Sequence, residues 1–272
     1  MIRLLAAWLP LVSTPAVVPT IVQASVQADD ERPVVYLTFD NGPGPRTPEF
    51  LEVLDQWDAK ATFFVIGGNA RNSPEMLTEI VDRGHAVGNH TWSHRDLTQL
   101  PQLEALTELK TTNAFVAETV GRTMRCWRPP FGEADDRLIE LAATAGLSNE
   151  SWIRSGRWDV DTVDWKLGYE FVLSRLQTIG PGDVVLMHGG MNPDPEGLAA
   201  LMTWLKESGD DYRFETLPGC SSDGRPGSDN SASPPESLAA TDSATRYFIT
   251  DPDLWIEIQR GSTYLSAFAA VR

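Results

Sequence analysis

Hydrophobic and polar residues follow two different periods between Pro33 and about Leu217. Short apolar runs rich in β-branched and aromatic residues predict strands, and segments with apolar residues three and four positions apart predict helices. The predicted strands cover residues 34–39, 62–66, 85–88, 125–128 and 184–188. The predicted helices cover residues 48–57, 74–83, 103–120, 136–145 and 169–179. Strands that alternate with helices are typical of a parallel sheet built from βα units.

Glycines mark the ends of three of these helices. Gly84, Gly121 and Gly146 each follow a predicted helix, where a left-handed backbone conformation would end it. A chain of 272 residues suits one large α/β unit with appendages. We therefore expect residues 29–219 to form a single domain.

The two ends of the chain depart from this pattern. Residues 1–28 predict a cleaved export signal, because a basic residue precedes an apolar stretch that ends in small residues. A membrane anchor is the alternative, although three prolines interrupt the apolar stretch. Residues 220–246 are rich in Ser, Asp, Pro, Gly and Ala and predict a flexible linker. Residues 247–272 predict a short extension with a hairpin at 254–258 and 263–268, docked on the main domain.

Composition excludes one class of partner and leaves the redox state open. The chain carries 38 acidic and 22 basic residues, and its formal net charge of -16 repels a phosphate backbone. We therefore expect no nucleic-acid partner. A secreted or periplasmic location would permit a disulfide between Cys126 and Cys220, but two independent thiols fit the sequence equally well.

Reactive side chains fall where the predicted strands end. Asp40 follows the first strand, His90 and His94 follow the third, Arg128 ends the fourth and His188 ends the fifth. Barrels of βα units build their sites from residues at the carboxyl ends of strands. We therefore expect these five side chains to lie close together.

The spacing of His90 and His94 allows both imidazoles to bind one ion, either from one helical turn or from the two ends of a tight loop. Spacing alone also fits two unrelated histidines. Three other segments have ordinary interpretations when taken singly: a turn after the first strand, a stiff proline corner and a helix cap. These segments are residues 38–43, 128–132 and 161–165.

Taken together and in this order, the segments resemble the NodB-type polysaccharide deacetylases, also called carbohydrate esterase family 4. The matching segments are Thr38–Pro43, His90–His94, Arg128–Gly132, Asp161–Trp165 and Leu186–His188. The resemblance covers about residues 33–217 and implies a distorted (β/α) barrel, incomplete relative to a TIM barrel. It also implies a metal-dependent hydrolase that removes N-acetyl groups from chitin, chito-oligosaccharide or peptidoglycan sugars.

The resemblance implies a role for each matching residue. Asp40 corresponds to the general base and His188 to the general acid, while Arg128 pairs with the base and Asp164 orients the acid. Asn41, His90 and His94 correspond to the ligands of one divalent ion, with zinc expected and cobalt or manganese as alternatives. The expected substrate-binding residues are Pro130, Phe131, Trp165 and Leu186. Ordinary core packing is the alternative for the last two, and His85 is expected to be structural.

One position departs from the family pattern. Asn41 stands where most members have a second Asp as the third protein ligand. An amide oxygen can bind an ion but brings no charge, so we expect weaker metal binding. Two alternatives to the N-deacetylase remain: an O-acetyl esterase acting on xylan, because the same ion and base would cleave an ester, and a glycan-binding module that has lost its metal because of Asn41. In each case we expect a monomer with a glycan partner and no stable membrane insertion.

Overall fold

The computed structural model of the protein describes residues 30–147, 157–189 and 195–220, together with the strands at 244–248, 254–259 and 268–271. The predicted export signal lies outside the described residues. The chain divides into two compact units, residues 1–224 and residues 225–272, which are described separately.

A parallel sheet of six strands forms the centre of the first unit. The strands are β1 (Val34–Gly42), β2 (Ala61–Val65), β3 (Ala86–Asn89), β4 (Val160–Asp161), β5 (Val184–His188) and β6 (Arg213–Phe214). They lie in the order β3-β2-β1-β5-β4, and β6 pairs with the start of β1. Within the described residues β3 and β4 do not pair with each other, so the sheet stays open. This architecture confirms the predicted incomplete (β/α) barrel.

Seven α-helices are found among the described residues of this unit. They are α1 (Thr47–Gln56), α2 (Gly67–Asn72), α3 (Pro74–Asp82), α4 (Gln102–Val120), α5 (Asp136–Thr144), α6 (Tyr169–Leu176) and α7 (Pro195–Ser208). The five predicted helices are confirmed to within three residues at each end, and the glycines after α3, α4 and α5 have the expected positive φ. The apolar periodicity does not predict α2 or α7. Across the described residues, no helix is both long enough and apolar enough to cross a membrane.

The core of this unit explains why the strands hold a fixed register. Alternate residues of β1 such as Leu37 and Phe39 are fully buried, and all five residues of β2 are buried. Phe39 stacks on Phe63 of β2, with ring centroids 5.0 Å apart. A parallel sheet covered by helices needs such continuous apolar strands. This packing holds the carboxyl ends of β1, β2 and β5 at one edge of the sheet.

The prediction of a strand at residues 125–128 is wrong. The segment makes only an isolated parallel bridge, between Asn89 and Trp127. Pro129 and Pro130 follow directly and have no N–H group, so the ladder of hydrogen bonds cannot continue. The bridge still brings Arg128 to the end of β3, because the Arg128 N–H donates to the Asn89 carbonyl at 2.9 Å.

A disulfide joins Cys126 to Cys220 across 94 residues, so the two cysteines are paired rather than independent. Both residues are buried, and Cys126 belongs to the segment that leads to Arg128. The bond closes the loop from Cys126 to Cys220, which contains Arg128, Asp164 and His188. Such a closure restricts the unfolded chain and stabilises the fold.

The second unit contains a three-stranded antiparallel sheet. Its strands are β7 (Ala244–Phe248), β8 (Leu254–Gln259) and β9 (Phe268–Val271), in the order β7-β8-β9. β8 matches the first strand of the predicted hairpin, but its following partner starts at Phe268 rather than Thr263. The predicted linker also ends too late, because β7 begins at Ala244 and pairs with β8. The composition of residues 220–246 does not predict that β7 pairs with β8.

Candidate active site

The side chains expected to react lie at the carboxyl edge of the parallel sheet. Asp40 of β1 lies opposite His188 of β5 in the strand register, and opposite Phe64 of β2 on the other side. His90 directly follows β3, and the bridge at Asn89 carries Arg128 to the same edge. The fold therefore brings together residues separated by up to 148 positions.

Asp40 forms a buried ion pair with Arg128. The Arg128 Nη1 donates to Asp40 Oδ1 at 2.8 Å and to the Thr38 hydroxyl at 2.9 Å, and Asp40 is only 4% exposed. Burial by itself would raise the pKa of Asp40, but the Arg128 guanidinium, with His90 and His188, outweighs it and lowers that pKa. Asp40 is therefore an ionised carboxylate at neutral pH.

The position of Arg128 is fixed by aromatic rings as well as by its partner. Its guanidinium lies 4.2 Å from the centroid of the Phe64 ring and 5.6 Å from that of Trp158. Such contacts favour a planar delocalised cation. The carboxylate of Asp40 is held in one orientation as a result.

His90 has a defined tautomer. Its Nδ1 lies 2.7 Å from the Arg128 carbonyl oxygen, which can only accept, so Nδ1 carries the proton and donates. Burial lowers the pKa of His90 to about 4, so the ring is neutral at pH 7. Its Nε2 lone pair lies 3.7 Å from Asp40 Oδ2. Two acceptors that face each other at this distance are suited to a cation or a proton donor between them.

His94 faces His90 across a tight loop and not along a helix. The two ring centroids are 4.9 Å apart, and the His94 ring also lies 4.9 Å from the Phe131 ring. Thr91 and His94 have φ values of 66° and 58°, which lie in the left-handed region. Burial lowers the pKa of His94 as well, so both imidazoles are neutral.

Asn41 supplies the third candidate ligand. It has φ 69°, and its side-chain oxygen is buried with no hydrogen-bond partner among the described residues. Its backbone carbonyl is satisfied by the Asn69 side chain at 2.9 Å. An unpaired buried amide oxygen costs about 1–3 kcal/mol unless something binds it. Two neutral imidazoles and this oxygen are a donor set that fits a divalent ion such as zinc.

This donor set differs from the usual one in charge. Within the part of the chain that the structure describes, no group of three His, Cys, Asp or Glu side chains is arranged to hold an ion. Asn41 offers an amide oxygen and both histidines are neutral, so these three side chains would bring no charge to a bound ion.

His188 forms a second buried pair with Asp164. Its Nδ1 lies 2.8 Å from Asp164 Oδ1, and its backbone N–H donates to Asp164 Oδ2 at 2.8 Å. Burial opposes protonation of His188, but the hydrogen bond and charge of Asp164 outweigh it and raise the pKa of His188. The two pairs thus hold Asp40 without a proton and favour a proton on His188.

The expected substrate-binding residues differ in exposure. Phe131 is 65% exposed with φ 62°, and Trp165 is 51% exposed, so core packing is the wrong alternative for Trp165. Leu186 is buried in β5 and Pro130 is buried in a short 3-10 turn. The two exposed rings are available to a ligand at this edge.

His85, the remaining histidine, lies just before β3, at the end opposite to His90. Its Nδ1 accepts a hydrogen bond from the Ala61 N–H at 3.2 Å, and burial lowers the pKa of His85 to about 4.

The sequence analysis assigned no role to two residues that contact the site, Thr38 and Glu108. Glu108 could have been found from the sequence, because it is a carboxylate on the otherwise largely apolar buried face of α4.

The chain is similar to proteins of known family. Residues 27–149 match the family model described as polysaccharide deacetylase. A peptidoglycan-N-acetylglucosamine deacetylase of Bacillus cereus is 33% identical over 197 residues, which cover 68% of this chain and 69% of that protein. A chitooligosaccharide deacetylase of a Bradyrhizobium species is 38% identical over 166 residues, 60% of this chain and 73% of that protein.

A solved structure also resembles the fold. It is a wild-type pseudoenzyme of carbohydrate esterase family 4 from Bacillus anthracis, with a TM-score of 0.61 and 28% identity. The match covers 70% of this chain and 66% of that one. Both deacetylases and a protein described as a pseudoenzyme are therefore similar to this chain.

Proposed function

Because this chain belongs to the polysaccharide deacetylase family, we propose that it hydrolyses N-acetyl groups of an amino-sugar polymer or oligomer with the help of one divalent ion. One observation carries the proposal: Asp40, paired with the Arg128 guanidinium, lies opposite His188, paired with the Asp164 carboxylate, on neighbouring strands. Two titratable groups with opposed environments are what a paired base and acid require.

His90, His94 and Asn41 would hold the ion, with zinc as the expected metal and cobalt or manganese as alternatives. The ion would supply a Lewis acid that polarises the amide carbonyl and makes water more acidic. Support for this part comes from the buried side-chain oxygen of Asn41, which has no hydrogen-bond partner among the described residues, and from His90, whose Nδ1 bonds the Arg128 carbonyl and leaves Nε2 as the nitrogen that can bind an ion.

Asp40 would take the proton of the attacking water, since its carboxylate is ionised and fixed by Arg128. Collapse of the resulting tetrahedral intermediate would expel a very basic nitrogen unless that nitrogen receives a proton. His188 would deliver this proton from Nε2, while Asp164 keeps Nδ1 protonated. The backbone N–H of Phe131 would donate to the oxyanion.

The substrate would lie along the exposed rings of Phe131 and Trp165, because large flat apolar groups at a site provide contact area for a ligand. The names of the two deacetylase relatives point to peptidoglycan or chito-oligosaccharide. Acetate release from N-acetylglucosamine oligomers, peptidoglycan and acetylated xylan tests this. Activity confined to xylan would identify an O-acetyl esterase, and no activity together with no bound ion would identify a glycan-binding module.

We also propose that the protein is exported and loses residues 1–28 or a shorter part of them. The apolar pattern of that segment and the Cys126–Cys220 disulfide support this, because disulfides persist in oxidising compartments. Amino-terminal sequencing of the protein from the extracellular or periplasmic fraction tests it. An intact Met1 on that protein would contradict cleavage.

A further inference from the structure

A buried carboxylate that the proposed chemistry does not use lies beneath the loop of His90 and His94. Glu108 is on α4, in the same buried face as Ala105, Leu109 and Thr112, and is 9% exposed. An apolar side chain would normally occupy this position. A carboxylate is tolerated there only when hydrogen bonds compensate for its loss of water.

Three hydrogen bonds satisfy Glu108, and all come from the middle of the loop. Its Oε2 accepts from the Trp92 N–H at 2.9 Å and from the Ser93 N–H at 2.7 Å. Its Oε1 accepts from the Ser93 hydroxyl at 2.6 Å. Hydrogen bonds to an ionised acceptor are among the stronger ones in proteins. Glu108 thus fixes two of the three residues between His90 and His94, namely Trp92 and Ser93.

The loop needs such a partner because its backbone is strained on both sides of these residues. Thr91 and His94 are not glycines, yet both have φ in the left-handed region. For a β-branched residue such as Thr91 this conformation is costly and persists only where the surroundings impose it.

Helix α2 donates hydrogen bonds to carbonyl groups of the same loop. The Gly67 N–H donates to the Thr91 carbonyl and the Gly68 N–H donates to the Trp92 carbonyl, both at 2.9 Å. The Trp92 and Ser93 N–H groups are therefore bound by α4, and the Thr91 and Trp92 carbonyl groups by α2. The remaining two N–H groups stay within the segment: Thr91 donates to the Asn89 side chain at 2.8 Å and His94 to the Thr91 hydroxyl at 3.0 Å.

We propose that Glu108 is a positioning residue for the metal site: its three hydrogen bonds keep the loop in the strained conformation that brings the two imidazole rings together. This inference rests on the proposed metal-dependent function. Glu108 contacts neither His90 nor His94 through their side chains, so it acts through the loop backbone. Without it, the Trp92 and Ser93 N–H groups lose their acceptor and the loop can relax away from the conformation that binds an ion.

The test compares four forms of the full chain: wild type, Glu108→Ala, Glu108→Gln and Glu118→Ala. Glu118 is an exposed residue of the same helix, so its variant controls for loss of a glutamate from α4. Zinc affinity is measured by isothermal titration calorimetry. Hydrogen exchange of the Trp92 and Ser93 amides and the thermal midpoint are measured on the metal-free chain.

Glu108→Ala should weaken zinc binding by about 10- to 100-fold, the range found when residues that orient metal ligands are removed. It should also speed exchange at both loop amides. Glu108→Gln should stay within about threefold of wild type, because the amide oxygen accepts both N–H groups and the NH₂ group can donate to the Ser93 hydroxyl. Glu118→Ala should match wild type in every measurement.

Equal zinc affinity and equal amide exchange in Glu108→Ala and wild type would overturn the inference. Equal damage in Glu108→Gln and Glu108→Ala would overturn it too, since charge and not geometry would then matter. If Glu108→Ala does not fold, Ser93→Ala replaces it and should weaken zinc binding through the loss of one bond; unchanged affinity there is the contrary result. A wild-type chain that binds none of zinc, cobalt and manganese would refute the proposed metal-dependent function itself, which the variants alone cannot do.

Discussion

Replacing Asp164 by Asn removes the negative charge beside His188 while nearly keeping the shape of the side chain. Asp164 accepts from both His188 Nδ1 and the His188 backbone N–H at 2.8 Å, whereas the single oxygen of Asn can accept from only one of them. The change removes the buried negative charge that raises the pKa of His188 against the effect of burial. In the variant, burial remains and the pKa of His188 should fall below its usual value.

The expected loss of kcat/KM in Asp164→Asn follows from the protonated fraction of His188. At a pH above the pKa of His188, each unit by which the pKa falls reduces the protonated fraction about tenfold. A positioned general acid contributes about 10²–10⁴ to the rate, and that contribution needs the proton. We therefore expect kcat/KM at pH 8 to fall by about 10²-fold or more in Asp164→Asn.

The assay is the pH dependence of acetate release from an N-acetylglucosamine oligomer. In wild type the alkaline limb reports loss of the His188 proton, so in Asp164→Asn this limb should move to lower pH. Asp183→Asn is the matched control, because the Asp183 side chain accepts from Gly180 N–H in the turn before the same strand. An alkaline limb that stays at its wild-type pH in Asp164→Asn would refute His188 as the acid.

The same pair also affects stability in a defined direction. The pKa of His188 is raised in the folded state, so its contribution is fully present below the unfolded pKa of about 6.5. This contribution is lost as pH rises through the folded pKa. Wild type should therefore lose stability relative to Asp164→Asn over that alkaline window, as chemical denaturation at several pH values would measure.

Three further predictions concern other parts of the site and fold. Asn41→Asp should tighten zinc binding by calorimetry, because a charged ligand replaces an amide; unchanged affinity would exclude this residue as a ligand. Arg128→Met should raise the pKa of Asp40, move the acid limb of kcat/KM to higher pH and destabilise the fold by about 3–5 kcal/mol; an unmoved limb would exclude Asp40 as the titrating base. The double variant Cys126→Ala, Cys220→Ala should lose about 4–5 kcal/mol of unfolding free energy in urea, and an unchanged midpoint would contradict the disulfide.

Most secondary structure was predictable because burial imposes its period on the sequence. The strand at Val184–His188 and the helix at Pro74–Asp82 agree closely with their predicted ranges, since each buries one continuous run or one face. Helix α2 was not predictable in this way, because six residues that begin with two glycines show no period. Residues 125–128 have the local sequence of a strand, but Pro129 and Pro130, which end the pairing, lie outside the segment from which the strand was predicted.

The positions of the reactive residues were predictable, and their pairing only in part. Asp40 and His188 end strands, which places both at one edge of the sheet before any distance is known. The role of Glu108 depends on its contact with Ser93, which lies 15 residues earlier in the chain. No local sequence pattern predicts this contact. The exposure of Trp165 likewise depends on which surface the rest of the chain leaves uncovered.

The most direct test of the account is acetate release by the wild-type chain from N-acetylglucosamine oligomers, measured after chelation and again after zinc is added back. The account predicts no release after chelation, release restored by zinc, and no release from His188→Ala even though that variant still binds zinc. Release that persists without metal, or full activity in His188→Ala, would contradict it.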